Sequence, residues 1–469
     1  MKRSKKLYIL LGVLIVVCIA TFAVVRHEEH KEKIKNSDEI ILKVPYDSVE
    51  SLSWTYKSNT LSFHKAETWL YDEDEAFPVD EERIKELLKP FEEFGVSFII
   101  EDVEDYGQYG LDSPECSINL KTADKSYEIK LGTFSKMDSM RYVSIGDGKV
   151  YLVKNDPLDY YDATLKDLIK NDKAPAFDKV SEIEFSGSEN YRVVYEENSP
   201  NSYSKDDVYF AKLGDKTLPL DASRVKNYLS KISKLGLTDY VTYNASDEQL
   251  KKYGLDAPEL TVTVNYTTKE DKEEVLNTFV LHISRDPEER KAAESKKDGA
   301  EDESKDEKIT AYARVGDSKI VYKISSDSYK DLTAASYDSL RHLEVFWADF
   351  ADVKQIDVSL EGATYSLTSE KKGDERTYYY KQEEAELEDF KKALGNIKAE
   401  KFTDEQPSEK KEIGMTLHLD NENFQKVQIE LYRYDATYCL AVVDGKPVSL
   451  VKRSNVVDLI EAVHAIILR

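Results

Sequence analysis

The sequence predicts an α+β protein, a single N-terminal transmembrane helix followed by three tandem repeats of antiparallel β-sheet, each with a covering helix. Three observations carry this reading. Residues 7–25 form one uncharged, largely apolar run, and a short element recurs nearly unchanged later in the chain. In addition, 31 tyrosines against 16 Phe and 3 Trp favour sheets with half-buried faces. At 469 residues the chain exceeds one ordinary core and suits several units once the anchor is set aside.

The anchor comes first. Leu7 to Val25, LYILLGVLIVVCIATFAVV, holds 19 residues. As a helix it spans about 28 Å, close to the roughly 30 Å hydrocarbon core. Lys2, Arg3, Lys5 and Lys6 crowd its N-terminal side, whereas the other flank, RHEEHKEK, is mixed. The positive-inside rule therefore puts residues 1–6 in the cytoplasm and the rest outside the cell membrane, with 26–46 as a juxtamembrane linker. A cleaved secretory signal is the competing reading, with Thr21 to Ala23 its best small-x-small site. Lipidation fits poorly, since Val16 and Val17 precede Cys18. No second apolar run of this length occurs, and residues 459–468 read as an amphipathic C-terminal helix.

A repeat organises the chain beyond the anchor. Tyr109-Gly110-Leu111-Asp112-Ser113-Pro114-Glu115 returns as Tyr253-Gly254-Leu255-Asp256-Ala257-Pro258-Glu259. Upstream of each lies a matching start, Phe77-Pro78-Val79-Asp80 and Leu218-Pro219-Leu220-Asp221. There an apolar-Pro-apolar segment ends a strand and Asp80 or Asp221 caps a helix. Ile84, Leu87, Leu88 and Phe91, or Val225, Tyr228, Leu229 and Ile232, then recur at helical spacing on one face. Downstream, CSINLKT, SYEIKLG, MRYVSIG and VYLV in one copy, and LTVTVNY, TFVLHIS, TAYARVG and IVYKI in the other, alternate as strands of a meander. The expected repeats cover 47–172, 173–347 and 348–469, the last degenerate and without either motif, as a terminal cap would be. Residues 286–308, almost wholly charged, read as a solvated mobile extension of a hairpin in the second repeat.

Formal net charge is −25, and the first 25 residues are basic, so the remainder is more acidic still. Nucleic acid is excluded as a partner, as is broad contact with anionic lipid headgroups. Three cysteines cannot make a disulfide framework, although one bridge between Cys116 and Cys439 stays open.

The order Trp69-Leu70-Tyr71, Phe77-Pro78-Val79-Asp80, helix, Tyr109-Gly110-Leu111-Asp112-x-Pro114 resembles the bacterial domain-of-unknown-function family 4340, and the second copy matches it too. The resemblance covers roughly 47–345 well and the last 120 residues weakly. It implies a membrane-anchored extracytoplasmic bacterial protein, often associated with ABC-type transport or gliding-motility-like auxiliary components. It brings no enzymatic activity, catalytic residue or cofactor.

The residues themselves point the same way. The sequence has no phosphate-cradling glycine loop, Cys-x-x-Cys pair or Gly-x-Ser-x-Gly elbow. Seven histidines are scattered, and only His27 and His30 stand close, one residue short of the zinc-protease spacing. The acid runs at 72–75 and 101–105 lack the spacing of a calcium loop and read as solvated loops, with weak cation binding as the alternative. Gly110, Gly254, Asp112, Asp256, Pro114 and Pro258 read as turn chemistry, and Trp54, Trp69 and Trp347 as packing. Catalytic, cofactor and metal residues are accordingly expected to be none. The expected function is a non-enzymatic anchored binding or scaffold protein, partnered by an ABC transporter permease or other envelope protein. The alternative is a polysaccharide- or peptidoglycan-binding protein or hydrolase.

Overall fold

A computed structural model describes residues 12–21, 33–270, 273–296, 308–373 and 375–468. The expected span 7–25 falls partly outside them. Its residues 12–21 are helical, with Val13, Leu14 and Val16 exposed, while 7–11 and 22–25 lie outside the described residues. No helix among the described residues is long and apolar enough to cross a membrane. His27 and His30 also lie outside them.

The architecture is β-rich and antiparallel, with four sheets accompanied by helices, and the chain divides into compact units 1–171 and 172–469. In the first unit, counting strands from Val49–Tyr56, the core pattern runs Asn59–Lys65, Trp69–Tyr71, Phe98–Glu101, Cys116–Thr122, Ser126–Ser135, Met140–Ser144 and Val150–Val153. Their spatial order is 3-2-1-5-6-7-8-4, every neighbour antiparallel. The second unit holds two more nine-stranded sheets with this same order, starting at Lys179–Ser186 and Val353–Leu360. Each of those adds a strand beyond the third position, Lys216–Pro219 and Glu383–Ala385.

The ninth strand of the first sheet corrects the sequence reading. Lys33–Asn36 pairs with Phe98–Glu101, and Ile40–Leu42 pairs with Phe94–Gly95, so two short stretches of the expected linker 26–46 are strands. The physical reason is the edge. Strand four would otherwise expose its backbone N–H and C=O groups, and the preceding chain covers them.

Helices Glu81–Glu92 and Ala222–Ser233 each lie against their own sheet through the expected stripe, with Ile84, Leu87, Leu88 and Phe91, and Val225, Tyr228, Leu229 and Ile232, all buried. Asp80 accepts from Glu82 N at 3.1 Å, and Asp221 from Ser223 N at 2.8 Å, so both caps form as anticipated. The third sheet uses a shorter helix, Glu388–Gly395, together with the C-terminal helix Arg453–Ile467.

Aromatic packing fills the first core. Trp54 stacks on Phe63 at 5.8 Å and meets Tyr161 edge-on at 5.4 Å, while Tyr71 meets Phe77 at 5.7 Å. Trp69 is also buried, its indole N–H donating to the Tyr46 hydroxyl. A second difference concerns the charged insertion. Residues Pro287–Lys296 form a helix, and 297–307 lie outside the described residues. Asp286 caps that helix through Glu288 N at 3.0 Å, and Arg290 pairs with Glu259 at 3.3 Å.

The cysteines are free thiols, and Cys116 and Cys439 are buried within strands, so the bridge left open by sequence does not form. Burial pushes both thiols up to about 12, the Glu412 carboxylate adding to the effect at Cys439. Both should therefore resist a thiol reagent at mildly alkaline pH in the native protein and react after denaturation. Rapid labelling of the native chain at either position would contradict this burial.

Candidate functional site

The recurring motifs turn out to be joints. In the first copy Gly110 has φ +69°, its N–H bonds to Gly107 O, and Leu111 N–H reaches Tyr106 O. In the second, Gly254 has φ +71°, with Gly254 N bonded to Lys251 O and Leu255 N to Leu250 O. These crossed bonds are the left-handed glycine stop of a helical turn, with Leu111 and Leu255 buried as the apolar clasp. Tyr109 packs on Tyr142 at 4.8 Å, and Tyr253 on Tyr312 at 4.7 Å. Asp112 and Asp256 are exposed and accept no hydrogen bond among the described residues, so the turn stands without their side chains. Pro114 and Pro258 precede the fifth strands, which begin at Cys116 and Leu260.

Beside each capped helix runs an open groove. The first, about 450 Å³, is walled by Arg83, Glu86 and Leu87 of the helix and by Asp159, Asp162 and Asp167 of the segment after the eighth strand. The second, about 490 Å³, lies at the corresponding place, between Arg224, Asn227 and Lys231 and the segment holding Asp331 and Ser339. Two bonds of their frames correspond. The N–H of the capping Asp80 donates to Leu168 O at 2.8 Å, and that of Asp221 to Leu340 O at 3.0 Å. Arg83 Nε donates to Asp167 O at 3.2 Å, and Arg224 Nε to Ser339 O at 2.8 Å. A tyrosine hydroxyl also ties each helix to its segment, but from opposite sides: Tyr161 of the segment donates to Leu87 O of the helix, and Tyr228 of the helix to Leu332 O of the segment.

The anchoring arginines escaped sequence reasoning, although a signal was present. Each stands three residues after its capping aspartate, in ERIKELL and SRVKNYL. The segments they grip share a second signature, Ala163-Thr164 to Leu168 and Ala335-Ser336 to Leu340, with a capping box in each. Asp167 serves there as the partner of Thr164 N at 2.8 Å, and the Thr164 bonds hold its carboxyl below the usual range.

A different cluster forms where the second sheet leads into the third. Asp207, its side chain 2 % exposed, accepts from the Trp347 indole N–H at 2.9 Å and from the Ser202 hydroxyl, and faces His342 Nε2 at 2.8 Å. Imidazole and indole stack at 4.3 Å and 9°. One ligand-type atom from each of Asp221, His342 and Glu344 lies within 4.8 Å of the others. Nothing local in the sequence marks this cluster, because Asp207 and His342 are 135 positions apart. Trp347, read as packing alone, also orients the histidine. The acid runs behave as loop chemistry: Asp72 meets His64, Asp74 caps Ala76 N, and Glu101 pairs with Lys35 and Lys149.

A family model described as a domain of unknown function, DUF4340, matches residues 69–258 and 214–416. No curated protein and no solved structure matches the chain. Both matched stretches begin just ahead of a capped helix and extend through its groove.

The glycine stops give a direct test. A Cβ at Gly110 would sit 2.7 Å from Thr133 Cγ2, and one at Gly254 2.7 Å from Ser284 Oγ, both at positive φ. Gly110→Ala and Gly254→Ala should each cost about 2–4 kcal/mol in urea unfolding, from left-handed strain plus overpacking. Gly146→Ala, at φ +79° with open space around it, should cost only about 1–2 kcal/mol. Equal costs at all three would contradict the docking.

Proposed function

The chain belongs to the DUF4340 family, whose domains have no assigned function, and we propose that it is a non-enzymatic, membrane-tethered extracytoplasmic binding or scaffold protein. In this reading residues 7–25 anchor tandem sheet-and-helix repeats, and the protein serves as an accessory component of an ABC-type transport system or another envelope assembly.

One observation carries the proposal: the frame of the groove is constant while its lining changes. The first groove presents Glu86, Asp159, Asp162 and Asp167 against Arg83. The second presents Arg224 and Lys231 against Asp331. A scaffold kept in place by backbone bonds, carrying side chains of different charge, is how a repeat array diversifies a binding surface. The two grooves would take partner segments of opposite charge, which suits one protein bridging parts of an assembly.

The test combines fractionation with recovery of partners. The full chain should stay with membranes through a high-salt wash, and after mild solubilisation and crosslinking it should carry a permease or other envelope protein. The double variant Glu86→Lys, Asp159→Lys should lose a partner held at the first groove while its circular dichroism is unchanged. Release by salt alone, or recovery of no envelope partner, would overturn the proposal.

A further inference from the structure

The cluster after the second sheet is built differently from everything around it, and the first copy shows why. The bond from each capping aspartate N–H to Leu168 O or Leu340 O sets the correspondence. Two residues beyond those leucines stand Lys170 and His342, and two further stand Asp172 and Glu344. The frame thus accepts a lysine at this place, and imidazole is not needed to hold it together. His342 is nevertheless held on two sides, by the Asp207 carboxylate and the Trp347 ring.

That support fixes both the plane and the tautomer of the ring. Trp347 stacks parallel on one face. The Asp207 carboxylate, which already accepts from Ser202 and Trp347, acts as acceptor toward Nε2, so Nε2 carries a proton and in the neutral ring the lone pair lies on Nδ1. A carboxylate behind a histidine is the arrangement that orients imidazole for a metal ion and raises its basicity.

The two neighbouring carboxylates are supported in the same manner. Asp221 Oδ1 accepts from Ser223 N at 2.8 Å and Arg224 N at 3.3 Å, which leaves Oδ2. Glu344 Oε1 faces Lys398 Nζ at 2.9 Å, and the carboxyl also accepts from its own backbone N–H. Each of the three groups is held in place by a partner, and one ligand-type atom of each lies within 4.8 Å of the others.

We propose that Asp221, His342 and Glu344 form a binding site for a divalent transition ion of the zinc class, with His342 ligating through Nδ1 and Asp207 as the positioning residue behind it. One imidazole and two carboxylates suit zinc-type ions better than calcium or magnesium, which prefer all-oxygen sets. Three protein ligands leave a coordination position for water or a donor from a partner. The site goes beyond the groove-binding reading and does not depend on it.

The experiment uses the full chain in detergent, free of any affinity tag and stripped with a chelator. Zinc is titrated against a chromophoric competitor, cobalt is followed by its visible absorption, and thermal unfolding is recorded with and without zinc. One ion per chain is expected, with a zinc-dependent rise in Tm. His342→Lys, the residue found at the corresponding place in the first copy, should abolish the tight site and the Tm rise. Asp207→Asn should weaken binding by roughly 10–100-fold while leaving the stoichiometry at one. Should His342→Lys fail to fold by circular dichroism, Glu344→Gln, at a part-exposed position, replaces it with the same expected loss. Absence of a stoichiometric ion, zinc affinity unchanged in these variants, or calcium bound as tightly as zinc would each overturn the assignment.

Discussion

In each nine-stranded sheet the first strand must find the fifth. Leu52 pairs with Leu120, Ile183 with Val264, and Ile356 with Leu417, each across a long excursion that contains a hairpin, the covering helix and the fourth strand. This central antiparallel pair joins two halves that are otherwise local, an opening hairpin and a closing meander. Until it forms, the apolar stripe of the helix has only half a surface to cover, and closing so large a loop costs entropy before any contact repays it. The glycine stop immediately ahead of strand five supports this step. It ends the turn at a fixed angle and docks the tyrosine on the seventh strand, so the incoming strand arrives in register.

An acid at the head of the fifth strand repeats the theme in all three sheets. Glu115 meets Arg141 at 2.9 Å, Glu259 meets Arg290 at 3.3 Å, and Glu412 meets Arg453 at 3.0 Å. Arg141 is itself nearly buried and bonds Asp156 at 2.7 Å as well. Such pairs contribute modestly to net stability, yet breaking one leaves a desolvated charge, so they penalise a misplaced strand more than they reward a correct one. The third sheet has lost the apolar-Pro-apolar-Asp and Tyr-Gly-Leu-Asp signatures but retains this acid and a cation to meet it.

Much of this was readable from residues alone, where the physics is local. Helical spacing exposed the stripes at 84–91 and 225–232, and Asp80 and Asp221 were legible as caps because a cap needs only the next two or three N–H groups. The segment 33–42 was not legible. KIKN has no apolar alternation, and its place is set by the bare edge of a strand some sixty positions later. The helix at 287–296 was hidden by its charge, although Asp286 just ahead of it was a local cap signal; its other anchor, Glu259, belongs to a distant element. Asp207, His342 and Trp347 were beyond reach for the same reason, as no window of sequence contains them together, and Glu412 with Arg453 fared likewise.

The strand Lys33–Asn36 also sets a length. Had 26–46 been slack, the first folded unit could wander far from Val25; with pairing beginning at Lys33, only seven residues intervene, a contour on the order of 25 Å. If residues 7–25 cross a bilayer, that contour bounds how far the first sheet can stand from the headgroups.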